Sequence, residues 1–90
     1  DSFDQQYFIY QNLWSVFNPI ENIELLTGKV SVWKKSSKLL TLFNGLTEEM
    51  IDANLLLADK KLESRVLGKA KLAYDELLKN RNKLDFSSIQ

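Results

Sequence analysis

The 90-residue chain contains no cysteine and no histidine. These absences exclude disulfide staples, thiolate nucleophiles, most zinc sites and the side chain that ordinarily shuttles protons near neutral pH. Proline occurs once, at Pro19, and glycine three times, at Gly28, Gly45 and Gly68, so little in the chain breaks a helix. An excess of either charge is also missing. Twelve basic and twelve acidic residues cancel, so no overall field marks a strongly basic nucleic-acid protein, and any DNA contact must come from a local patch. No apolar run approaches the roughly 18 residues that span a bilayer, and no charged leader precedes an apolar signal core. The expectation is a soluble, cytoplasmic protein that makes no membrane contact.

The sequence also lacks an engine. There is no Gly-x-x-x-x-Gly-Lys-Ser/Thr loop to cradle phosphates, and no apolar strand ends in paired acids that hold Mg²⁺. Thr27-Gly28-Lys29 echoes the end of such a loop without its upstream glycines or strand. The adjacent pairs Glu48-Glu49 and Asp75-Glu76 point in different directions on a helix, so they read as solvated faces rather than an acid/base dyad. No catalytic residue, cofactor ligand or metal ligand is assigned within the chain.

What is present is a hydrophobic content of 44%, with two Trp, three Tyr and five Phe, enough for a small core. Ser2-Phe3-Asp4-Gln5 reads as a capping box. Behind it Phe3, Tyr7, Ile9, Tyr10, Leu13, Trp14 and Phe17 recur at three- and four-residue spacing and predict a helix over 3–17, ended by Asn18-Pro19. These aromatics read most simply as core. Yet Tyr7, Phe8, Tyr10, Trp14 and Phe17 cannot all point one way, so some must be exposed or meet a partner.

A short helix over 20–27 is expected to stop at Gly28, and Val30 to Trp33 can begin either a helix or an extended connection. Leu39, Leu40, Leu42 and Phe43 predict a helix over 32–43 that leaves through Asn44-Gly45. Thr47-Glu48-Glu49 then reads as the start of a short helix burying Met50, Ile51, Leu55 and Ala58. Asp59 is expected to cap the longest helix, over 60–81, with Leu62, Val66, Leu67, Ala70, Ala73, Tyr74, Leu77 and Leu78 as its apolar stripe. Gly68 in its interior costs about 1 kcal/mol relative to Ala, which suggests another helix pressed against it. No strand alternation and no internal repeat is visible. The fold class is therefore all-α: a small bundle of four or five helices in one domain over 1–90, its core joining the first helix to the last.

Charge is polarised along the chain. Residues 1–30 hold four acids against Lys29, net −3, whereas residues 31–90 hold eleven bases and eight acids, net +3. Trp33, Lys34, Lys35 and Lys38, with Ser36 and Ser37 among them, combine a stacking surface, ammoniums and hydroxyl donors suited to nucleic acid. Lys61, Arg65 and Lys69 recur every four residues and would form a row along the last helix. These seven residues are the DNA-binding candidates. The plainer reading of the same charges is solvation of helix faces.

The C-terminal residues Tyr74, Leu77, Leu78, Leu84, Asp85, Phe86 and Ile89 form the pattern Tyr-x-x-Leu-Leu-x-x-x-x-x-Leu-Asp-Phe-x-x-Ile. It resembles the segment that closes the inserted helical subdomain 1B of UvrD/Rep-like superfamily 1 DNA helicases, with a helix running out over Asn80 to Asn82 before a Leu-Asp-Phe turn. Phe3 to Tyr10 is similar to the stretch that opens the same insert in some archaeal-type members. Ser87-Ser88 departs from the acids frequent after Asp-Phe in that family. The resemblance implies an accessory body beside the DNA path of an ATP-dependent 3′-to-5′ helicase. Its partners would be single-stranded or junction DNA and the rest of the motor, and ATP and Mg²⁺ would be held elsewhere in the parent hydrolase. The Asp1-Ser2 start without Met and the end in mid-element fit a piece of a longer polypeptide. The alternative is a helical protein-protein interaction module, resting on the aromatic richness of the first helix.

Overall fold

The computed structural model describes the backbone of residues 1–89 and the side chains of residues 1–82. The order is α1 (Ser2–Gln11), a π-helical segment (Leu13–Phe17), α2 (Glu24–Thr27), α3 (Val32–Glu48), α4 (Ala53–Leu57) and α5 (Leu62–Ile89), with no strand among the described residues. The chain is an all-α bundle, as its periodicities predict. No helix among the described residues is long and apolar enough to cross a membrane.

The cap of α1 falls one residue earlier than expected. The Asp1 carboxylate accepts from the Asp4 N–H at 3.0 Å, and Ser2 is already helical. At the end of α1 the Asn12 side-chain amide donates to the Phe8 carbonyl at 2.8 Å, and the chain widens into the π segment, closed by Asn18 N–H on the Leu13 carbonyl at 2.7 Å. A strict four-residue spacing drifts around a helix of 3.6 residues per turn, and the wider π turn offsets that drift. Ile9, Leu13 and Phe17 consequently all reach the core. The chain then turns through Asn22, whose φ is 65°, and α2 stops at Gly28 as expected. Gly28 takes φ 68° and ψ −175°, a region essentially reserved for glycine.

The expected exit at Asn44-Gly45 does not occur. α3 begins on Ser31, whose hydroxyl accepts from the Lys34 N–H, and runs straight through Asn44 and Gly45 to Glu48. Continuing for that extra turn buries Leu46. Thr47 is accordingly no N-cap: its hydroxyl donates back to the Phe43 carbonyl. The helix closes in a Schellman motif, with Ile51 N–H on the Leu46 carbonyl at 2.9 Å and Met50 N–H on the Thr47 carbonyl at 3.1 Å.

The left-handed residue of that motif is Met50, at φ 56°. A side chain there costs roughly 1–2 kcal/mol that glycine avoids. Met50→Gly is therefore expected to raise stability by about 1 kcal/mol, seen as a higher urea midpoint. A lower midpoint would mean that the methionine side chain stabilises the fold.

The inward set expected for the next helix is also corrected. Because α4 starts on Asp52 and is only five residues long, Ala53 is the residue it buries, while Met50, Ile51, Leu55 and Ala58 are exposed. α5 begins at Leu62, itself exposed, rather than at residue 60, and its backbone stays helical through the exit expected at 80–82 and on to Ile89. The side chains of Leu84, Asp85, Phe86 and Ile89, which carry much of the C-terminal resemblance, lie outside the described residues.

The core joins the first helical run to α5 as expected, and Phe43 of α3 stands at its centre. Phe43 on α3 lies 5.9 Å from Phe17 and 4.7 Å from Tyr74, ring centre to ring centre. Ile9, Leu13, Ile23, Leu39, Leu40, Val66 and Ala70 pack around these rings. Gly68 faces α4: a Cβ there would stand 2.9 Å from the Ala53 carbonyl oxygen and 3.0 Å from the Leu56 Cβ. The close approach that the sequence suggests at Gly68 is present.

Burial pushes the Tyr74 phenol above its ordinary value of 10.0, Asp75 adds to the rise and Arg81 opposes it. A raised folded-state value means that the native protein keeps a proton which the unfolded chain releases. The stability so conferred is complete below the ordinary value and is lost as pH rises through the folded one. Tyr74→Phe is expected to flatten that part of the alkaline fall in melting temperature. An unchanged alkaline profile would place the loss elsewhere.

Candidate nucleic-acid interface

The residues of α1 and the π segment form two interleaved stripes. Ile9, Leu13 and Phe17 face inward, whereas Phe3, Tyr7, Tyr10 and Trp14 lie on the outer side. Gln6 donates its side-chain amide to the Trp33 carbonyl at 3.1 Å, which ties α1 to the first turn of α3. Trp33 is thereby set among the outer rings, 5.6 Å from Phe3 and 5.6 Å from Tyr10, edge-on to the latter. Phe3 stacks on Tyr7 at 6.4 Å and Tyr7 on Tyr10 at 6.1 Å. Four rings from two helices thus form one continuous patch, each 38 to 62% exposed. Trp14, one turn further on in the π segment, is 69% exposed.

The seven candidate residues separate into two groups. Lys34 and Lys38, one turn apart on α3, are both exposed, and Lys34 follows Trp33 directly in the chain. The Lys38 ammonium lies over the loop between α2 and α3, 3.5 Å from where a Cβ on Gly28 would stand. Lys35 is committed: it pairs with Glu24 of α2 at 3.9 Å, and its side chain is largely covered. Ser36 is buried, with its hydroxyl donating to the Val32 carbonyl, whereas Ser37 is exposed.

Lys61, Arg65 and Lys69 do not join this group. They belong to the end of α5 that packs on α4, beyond the C-terminus of α3, and about 15 Å of α3 separates Lys38 from Glu48. Nor do they form a simple row. Lys61 precedes α5, and the Arg65 guanidinium turns back to the Asp59 and Lys60 carbonyls at 2.9 and 2.7 Å. Asp59 itself is held below the usual carboxylate range, first by a hydrogen bond from Ser64 and then by the Lys61 N–H.

Sequence reasoning assigned Trp33 to the site but not Phe3, Tyr7 and Tyr10, which complete its patch. The signal lay in the four-three-four spacing that continues from Phe3 through Trp14 beside the inward stripe. On the adjoining side of α1, Arg81 of α5 places its guanidinium 5.0 Å from the Phe8 ring centre. An open groove of about 420 Å³ runs there between Asp4, Tyr7, Phe8, Gln11, Leu77 and Arg81. Thr27 is buried and its hydroxyl is spent on backbone carbonyls, so Thr27-Gly28-Lys29 forms no phosphate cradle. No group of three acidic side chains is placed to hold a metal among the described residues.

These observations define a small all-α bundle with an exposed aromatic patch where α1 meets the first turn of α3. No protein-family model, curated protein or solved structure matches the chain.

Proposed function

We propose that this chain is a DNA-contacting helical module that receives single-stranded DNA, at a junction or beside one, on the Phe3–Tyr7–Tyr10–Trp33 patch. On this reading it serves as an accessory body to an ATP-dependent helicase motor of the UvrD/Rep-like kind and carries no ATPase chemistry of its own. The observation that supports the reading is the patch of four exposed rings, with Lys34 next to Trp33 in the chain and Lys38 one turn further along α3, both exposed. Bases stack on exposed rings for about 1–3 kcal/mol each, whatever their sequence, and ammoniums alongside take the phosphates. A neutral net charge is compatible with this because the two lysines act locally.

Two phosphate contacts set the scale of the salt dependence. For single strands the slope is about −0.7 per contact, so affinity falls about sevenfold between 50 and 200 mM salt. Lys34→Glu/Lys38→Glu is expected to abolish binding to a labelled single-strand/duplex junction while leaving the helical signal intact. Lys61→Glu/Lys69→Glu, at the other end of the bundle, is expected to leave it unchanged. Equal loss in both pairs would mean a diffuse charge effect and would remove the α1–α3 face from the account.

A further inference from the structure

The groove between α1 and α5 adjoins the aromatic patch, because Tyr7 belongs to both. Its volume of about 420 Å³ falls in the range of pockets that hold small ligands, roughly 300–1,000 Å³. On the α1 side Asp4, Phe8 and Gln11 share one helix face, at i, i+4 and i+7. Leu77, Asn80 and Arg81 line the α5 side. A strand stacked on the patch therefore passes the mouth of this groove at Tyr7.

The lining suits the edge of a base better than a backbone. The Asp4 carboxylate repels phosphate, which leaves the base as the part of a strand that can enter. The Arg81 guanidinium lies 5.0 Å from the Phe8 ring centre, and a guanidinium plane is a surface on which a base stacks. Leu77 supplies an apolar wall, and the Gln11 and Asn80 amides each offer both a donor and an acceptor. Asp4 sets the preference, because a carboxylate accepts hydrogen bonds and does not donate them. The amino groups of cytosine and adenine donate to it, whereas thymine flanks its one ring N–H with two carbonyl oxygens.

We infer that the α1–α5 groove takes one base bearing an exocyclic amino group from the strand held on the neighbouring patch, with Asp4 accepting from that group. The inference rests on the DNA reading and deepens it. Stacking on the four rings is indifferent to sequence, and the groove adds a bias against thymine. Asp4 is thereby a specificity residue rather than a source of affinity. Its contact with the chain's amino group, at 3.9 Å, is exposed on both sides and of small worth.

The test compares labelled single strands of about 15 nucleotides, all cytosine, all adenine or all thymine, by anisotropy with the 90-residue chain. The cytosine and adenine tracts are expected to bind about tenfold more tightly than the thymine tract. Asp4→Asn leaves the helix cap in place, since the bond to Asp1 uses the Asp4 backbone N–H, and it is expected to bring the three tracts to one affinity. The ratio is the readout, because removing a negative charge raises the binding of every tract alike. NMR of the isotope-labelled chain locates the effect: the side-chain amides of Gln11 and Asn80 are expected to shift with the cytosine tract and not with the thymine tract. Equal affinity for the three tracts, a preference that survives Asp4→Asn, or shifts confined to the aromatic patch would each overturn the inference and leave the DNA reading standing. Failure of every tract to bind would overturn both.

Discussion

Phe43→Ala is expected to cost about 3–5 kcal/mol, the usual loss when a buried phenylalanine is truncated and its neighbours relax only in part. The reason lies in the position of the ring. Phe43 is only 1% exposed and touches both Phe17 and Tyr74, so it links the π segment, α3 and α5. Loss of the ring opens a cavity between three elements that have no other shared aromatic contact among the described residues. A chain of 90 residues has a total stability of roughly 5–13 kcal/mol, so the variant would stand near its unfolding threshold. Urea denaturation followed by circular dichroism measures this. A cost below about 1.5 kcal/mol, the range of tolerated volume-conserving swaps, would show that Phe43 is not the centre of the core.

Gly68→Leu is expected to lower stability by about 3 kcal/mol and to unseat α4. Two effects oppose each other at this site. Any side chain gains up to about 1 kcal/mol of helix propensity over glycine. Against that, a Cβ would stand 2.9 Å from the Ala53 backbone carbonyl and 3.1 Å from Leu57. A carbonyl in a helix cannot swing aside as a side-chain tip can, so overpacking of about 1–3 kcal/mol outweighs the propensity gain even for Gly68→Ala, and exceeds it clearly for Leu. Hydrogen exchange adds a local readout, because the amides of Ala53–Leu57 should lose protection first. If Gly68→Ala were the more stable protein, α4 would not rest on Gly68 as described.

The sequence was most legible where a residue has one common use. Asn18-Pro19 ends the first helical run and Gly28 ends α2, each through a backbone restriction that neighbours cannot override. Gly68 disclosed a close approach because an interior glycine needs a reason. Legibility failed where packing outweighs local preference. Asn44-Gly45 has the look of a helix exit, yet α3 continues because Leu46 finds a buried seat one turn later. The true exit puts Met50 at φ 56°, which no propensity would nominate. With the exit one turn later than Asn44-Gly45 suggests, Met50, Ile51 and Leu55 are exposed rather than inward.

The candidate site was legible to a similar degree. Clustering in the chain singles out Trp33, Lys34 and Lys38, but the commitment of Lys35 to Glu24 and of Arg65 to the α4–α5 loop is tertiary. Seven apolar positions on one helix cannot be divided by spacing of three and four alone. The division follows chemistry: the inward stripe takes two aliphatics and Phe17, whereas three of the four outer rings carry a polar atom that tolerates water.

The central claim is that the α1–α3 face holds single-stranded DNA through stacked rings and two lysines. Its most direct measurement is a fluorescence-anisotropy titration of a labelled single-strand/duplex junction at about 50 and about 200 mM salt, with Trp emission followed in parallel. The account predicts binding at the lower salt, about sevenfold weakening at the higher, a change in the emission of Trp33, and loss of all three in Lys34→Glu/Lys38→Glu. Absence of binding at low salt by the folded protein, or binding that leaves tryptophan emission unchanged, would contradict it.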